Sequence, residues 1–176
     1  MGTMVTTIVI PHDPTDALRM QELASIGDFQ EVTGGFLEPY EVTALGITFW
    51  TNEALPREHG ALNARATALY WYYNAGAELP SVILGDVVIS GNAEHFGGAD
   101  VPDHVVYGLM RRHRFVVQVS RNDDNRWNDT FARFGNIYDA AMWCMLFARS
   151  FQRGSAFRIQ AEASRSTDAL FEDESW

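Results

Sequence analysis

A helix running from Asn136 to Arg153 cannot be a surface helix. Ile137, Ala141, Cys144, Ala148 and Phe151 recur at helical spacing along one side, and Tyr138, Met142, Trp143, Met145, Leu146 and Phe147 fill most of the remainder. More than one face has to be covered, by the rest of the chain or by another copy of it. Asn136 and Asp139 form a box-like start, and Gly154 supplies the stop. Phe115–Val119 before the helix and Phe157–Gln160 after it read as strands, so the C-terminal third is expected to be a β-α-β unit.

The preceding residues alternate between strand and helix signals. Thr6–Ile10 is a β-branched run ended by Pro11, with turn chemistry in Pro11-His12-Asp13-Pro14. Thr15 is placed to cap a helix carrying Ala17, Met20, Leu23 and Ala24, stopped by Gly27. Glu31–Val42 and Gly46–Thr51 are β-rich and suggest a hairpin, with Pro39-Tyr40 as a turn. Leu62–Tyr73 reads as a short helix running into an extended aromatic end, Tyr70-Trp71-Tyr72-Tyr73. Val82–Ser90 is the clearest strand, with Gly85-Asp86 as a bulge. Pro102 opens a helix with Arg111, Arg112 and His113 in its last turn. The fold expected is α+β: a small mixed or antiparallel sheet with helices, and the C-terminal β-α-β unit packed against it. The division expected is an acidic module over 1–113, the β-α-β unit over 114–162 and a flexible acidic tail over 163–176.

With 47% hydrophobic residues and 20% charged ones, the chain has the composition of a globular protein. No apolar run reaches the roughly 18 residues of a membrane span. The first residues lack a basic start, and one cysteine, Cys144, cannot form an internal disulfide, so a cytoplasmic setting is expected. Charge falls in blocks. Residues 1–100 hold 13 acids against Arg19, Arg57 and Arg65, which equals the net charge of −10 of the whole chain. A basic stretch from 101 to 158 and an acidic end balance each other. Such a field repels phosphate and favours a partner with a basic surface over direct nucleic-acid binding. All 13 cationic side chains are Arg, which excludes a Walker-type phosphate loop and Schiff-base chemistry by a lysine.

Catalytic patterns are weak. His95, His104 and His113 recur every nine residues near Asp86, Asp100 and Asp103, but that interval aligns ligands on neither a helix nor a strand, so neither a metal nor another cofactor is expected. Cys144 lies mid-helix on an apolar stripe, where cysteine behaves as a small hydrophobe. Arg111, Arg112 and Arg114 are candidate anion contacts, and with Tyr70, Trp71 and Tyr72 they have the composition of a site for a small anionic ligand. Asn52, Glu53, Asn63 and Thr67 are candidates for a polar site, though capping and turns explain them nearly as well.

Ile10-Pro11, Phe29-Gln30, Gly34-Gly35-Phe36-Leu37-Glu38, Asn52-Glu53, Gly60–Thr67 with Asn63 and Ala66-Thr67, Ile83, Gly85-Asp86-Val87-Val88 and Gly91 follow one another in an order that resembles the domain-of-unknown-function family three-eight-four-six, over residues 6–91. That resemblance implies a small α+β domain of phages, plasmids and their hosts, with no activity attached. It does not extend over the C-terminal third. With the acidity it points to a non-enzymatic phage-type accessory protein that binds and modulates a host macromolecule, in counter-defence or host take-over, through Glu38, Tyr40, Glu41, Asn52, Glu53, Asn63, Tyr70, Trp71 and Tyr72. The alternatives are a sponge for a small nucleotide-like signal and a metal-dependent enzyme using the His/Asp loop. The surplus apolar surface of the 136–153 helix predicts a homodimer.

Overall fold

The computed structural model describes residues 4–55, 60–74, 82–92, 99–121, 126–148 and 155–162. Two antiparallel sheets and four helices account for them, an α+β fold. The larger sheet is built from β1 (Val5–Ile10), β2 (Arg19–Leu23), β3 (Leu37–Val42), β4 (Ile47–Asn52) and β5 (Val87–Gly91), in the order β2-β1-β5-β4-β3. Every neighbouring pair is antiparallel.

Arg19–Leu23 is therefore a strand and not the helix that its spacing suggests. Thr15 does not cap a helix: its N–H and hydroxyl both donate to Asp13 Oδ1, at 2.8 and 2.7 Å, closing a turn. The next five residues then satisfy β1, with Val5 opposite Leu23 and Val9 opposite Arg19. The helix comes later, as α1 (Ile26–Thr33). Ser25 accepts from Asp28 N–H while the Asp28 carboxylate accepts from Ser25 N–H, a complete capping box. The Ala24 N–H, which donates to the same carboxylate at 2.7 Å, and after it the Ser25 bonds hold the Asp28 carboxyl below its usual range. Gly34, at φ +81°, ends the helix in the left-handed conformation, so 31–33 belong to α1 and not to a strand. The β3–β4 hairpin forms as expected, but Pro39 and Tyr40 sit inside β3, opposite Trp50 and Phe49.

The sheet is covered on both faces. On one side Val9, Leu23, Trp50 and Val88 pack with Phe29 of α1. On the other, Ile8, Ile10, Ile47, Phe49, Val87 and Ile89 pack with Ala66 and Leu69 of α2 (Ala64–Tyr73) and Val105 of α3 (Asp103–Met110). Each fully buried aliphatic or Phe side chain here contributes roughly 1.5–3 kcal/mol. The aromatic run does not extend: α2 continues through Tyr73, and Asn74 N–H closes it on Tyr70 O. β5 is shorter than the run Val82–Ser90, because Gly85 at φ +72° turns the chain before Val87. Arg111, Arg112 and His113 follow the end of α3 and are not in its last turn.

The smaller sheet has the order β7-β6-β8, from β6 (Phe115–Arg121), β7 (Asn128–Phe134) and β8 (Ser155–Ala161). β7 is a strand beyond the two read from the sequence for this unit. Between β7 and β8 runs α4 (Ile137–Ala148), started by Asn136, whose side chain accepts from Asp139 N–H at 2.8 Å. Ala140 and Cys144 of α4 pack on Phe115 and Val117, while Tyr138 joins the core of the larger sheet. α2 lies against α4. Two faces of α4 are thus covered within the chain, leaving Leu146 and Phe147 exposed. Among the described residues, no helix is long and apolar enough to cross a membrane.

Candidate functional site

Glu38 and Tyr40 lie on the same side of β3, and the hairpin register carries Asn52 and Glu53 to the end of β4 beside them. These four line one pocket of about 220 Å³, with Leu55 and the 82–84 segment as its apolar wall. The Tyr40 hydroxyl donates to Glu38 Oε2 at 3.0 Å, which holds that carboxylate in place. Asn52 Oδ1 accepts from Ala54 N–H at 2.9 Å. Gly35 makes room for the amide, since a Cβ there would lie 2.5 Å from Asn52 Oδ1 and Nδ2. Behind the pocket, Tyr70 meets Tyr40 edge to face, with ring centroids 5.4 Å apart.

Among the described residues, no basic side chain lines this pocket. Two carboxylates, one oriented by a phenol, beside an apolar wall have the chemistry to receive a guanidinium or ammonium head with an aliphatic stem.

The other sequence candidates go elsewhere. Glu41 is on the opposite face of β3 from Glu38. Asn63 is fully buried: its Nδ2 donates to Ile10 O and Gly85 O, both at 2.9 Å, and its Oδ1 accepts from Ala66 N–H at 3.0 Å. Thr67 is also buried, and Ile83 N–H donates to its hydroxyl at 3.1 Å. Trp71 is half-buried. The Tyr72 hydroxyl accepts from Ile159 N–H of β8 at 2.9 Å, tying the two sheets together. Arg111 lies over the Tyr107 ring, 4.9 Å from its centroid, Arg112 is exposed, and Arg114 reaches within 3.9 Å of Glu162. All three arginines belong to the α3–β6 connection, away from α2 in sequence.

His104 and His113 sit at opposite ends of α3, and His113 stacks on Tyr107 with centroids 4.4 Å apart. His95 lies outside the described residues. Asp86, placed by sequence with these histidines, instead pairs with His12, accepting from its backbone N–H at 2.9 Å and from its Nδ1–H at 2.6 Å. Arg65 braces the same loop by donating to the carbonyls of Pro11, Asp13 and Asp16. Nothing in the sequence marks His12 and Asp86 as partners until β1 is set beside β5. Burial pushes the Cys144 thiol up to about 12, as expected of an inert cysteine.

No family model, curated protein or solved structure matches the chain.

Proposed function

We propose that this chain is a non-enzymatic, phage-type accessory protein that modulates a host protein by gripping a basic side chain in the Glu38–Glu53 pocket. The observation that supports it is the pocket itself, in which Glu38 and Glu53 converge with no lining cation among the described residues. The surrounding acidity of residues 1–100 supplies the longer-range attraction, screened over about 8 Å at physiological salt. No observation favours the nucleotide sponge: Tyr72 is engaged with β8, Tyr70 with Tyr40, and the three arginines lie on another connection.

The test is a double charge reversal, Glu38→Lys with Glu53→Lys, compared with Glu41→Lys on the other face. Binding to a synthetic arginine-rich peptide, followed by calorimetry across a salt series, should weaken at least tenfold in the double variant and stay within twofold in Glu41→Lys. The wild-type affinity should also fall steeply with salt. Equal affinity in the folded double variant and the wild type would sink the proposal.

A further inference from the structure

Among the described residues, four strands have a free side: β2 and β3 in the larger sheet, β7 and β8 in the smaller. A free edge offers unpaired N–H and C=O groups and accepts another strand unless it is blunted. β3 carries Pro39 in mid-strand, which removes a donor. β7 is broken by the register shift opposite Val116 and Gln118. On β8, the Ile159 N–H that turns away from β6 is taken by the Tyr72 hydroxyl of α2, so that edge is partly engaged. β2 has none of these devices. It is a regular five-residue strand, Arg19-Met20-Gln21-Glu22-Leu23, without Pro or Gly.

The groups that β2 leaves open can be read from β1. Thr6 N–H donates to Asp100 Oδ1 at 2.7 Å, and Thr6 O accepts from Val101 N–H at 2.9 Å, both on the side away from β2. Val5, Thr7 and Val9 are then the residues that face β2, and they bond Leu23, Gln21 and Arg19. Met20 and Glu22 are left with their N–H and C=O pointing outward, where they meet no partner among the described residues.

We propose that two copies of this chain pair through β2, antiparallel about a two-fold axis at Gln21. In that register Met20 faces the partner's Glu22 and Glu22 faces the partner's Met20, so each outward residue exchanges both hydrogen bonds with another outward residue. A pairing centred on any other residue of β2 does not use both. The charge pattern fits as well. Glu22 meets Met20 and not a second carboxylate, and Arg19 meets Leu23, which lines a groove of about 510 Å³ together with the chain's own Arg19 and with Asp28 and Glu31 of α1. Arg19 of one copy therefore approaches the partner's Glu31. Met20, 48% exposed in the single chain, lies diagonally across from the partner's Met20 and shields it. The dimer so formed is a continuous sheet twice as wide, with an isologous interface. It does not depend on the acidic pocket, which opens at the opposite edge of the sheet.

Light scattering of the full chain at tens of micromolar should give twice the chain mass. Glu22→Pro removes an outward N–H and no bond to β1, so it should give the monomer mass with unchanged far-ultraviolet circular dichroism. Met20→Glu sets a carboxylate opposite the partner's Glu22 and should weaken the dimer at least tenfold. Met20→Arg sets a cation there and should tighten it, with the two variants converging as salt rises. Leu146→Glu, in the exposed end of α4, should leave the dimer intact. A monomeric wild type overturns the proposal. So does a dimer that survives a folded Glu22→Pro, one that dissociates in Leu146→Glu, or equal affinities for Met20→Glu and Met20→Arg.

Discussion

Asn63 is a polar side chain whose whole hydrogen-bonding capacity is spent inside the protein. One amide caps α2 and bonds the ends of β1 and of the turn before β5. Asn63→Asp keeps the cap but turns a carboxylate oxygen onto the two carbonyls, leaving a buried charge facing like partial charges. A loss of about 3 kcal/mol is expected, read as a lowered urea midpoint with unchanged m-value. An unchanged midpoint would show that the amide is not held as described. The sequence displays what Asn52, Glu53, Asn63 and Thr67 can bond, which is why they group together as candidates. It does not display direction. Strand alternation turns Glu53 to the Glu38 face and Asn52 to the other, against Gly35, while the helix start turns Asn63 and Thr67 inward.

At the scale of elements, legibility follows how local the cause is. β1, the β3–β4 hairpin and the start of α4 are set by β-branched runs and a cap, and these can be read directly. β2 has neither a β-branched residue nor a strong alternation, and it is a strand because β1 needs its outward groups satisfied. In α2 the consecutive aromatic residues resemble a strand, yet helical spacing is what sends Tyr70 to the larger sheet and Tyr72 to the smaller. Tyr72 also makes the join between them sensitive to alkali. Burial pushes its hydroxyl from 10.0 up to about 12, and burial raises Tyr73 and Tyr138 as well. The unfolded chain loses these protons first, so stability is full below pH 10.0 and is lost as pH rises towards about 12. Thermal melting should be flat from neutral pH up to about pH 10.0 and then fall. Tyr72→Phe should cost about 1 kcal/mol at neutral pH by stranding Ile159 N–H, and its alkaline decline should be shallower than that of the wild type. Parallel alkaline profiles would contradict this.

For the molecule as a whole, the surplus apolar surface of the 136–153 segment was legible, and its destination was not. Its described part, α4, meets α2 on one side and β6 on the other, because Tyr138 and Cys144 fall on different sides of the helix, and residues 149–153 lie outside the described residues. The segregation of charge is equally plain in the sequence. Its convergence on one pocket depends on a strand register that no local pattern encodes.

The strand order has a kinetic consequence. β1 with β2, and β3 with β4, are hairpins that close over short stretches of chain, but neither touches the other. Only β5 joins them, and it pairs Ile89 with Ile8 on one side and with Phe49 on the other. The closure of the long loop back to β1 comes before the reward of burying Val87–Gly91 on both flanks. The rate-limiting event in refolding should therefore be the insertion of β5 between two preformed hairpins. Val88→Ala should then slow refolding by nearly its full equilibrium cost, while a truncation at Leu23 on the outer strand mainly speeds unfolding. Stopped-flow Trp50 fluorescence, from a ring that packs beside Val88, reports the moment the two halves of the sheet become one.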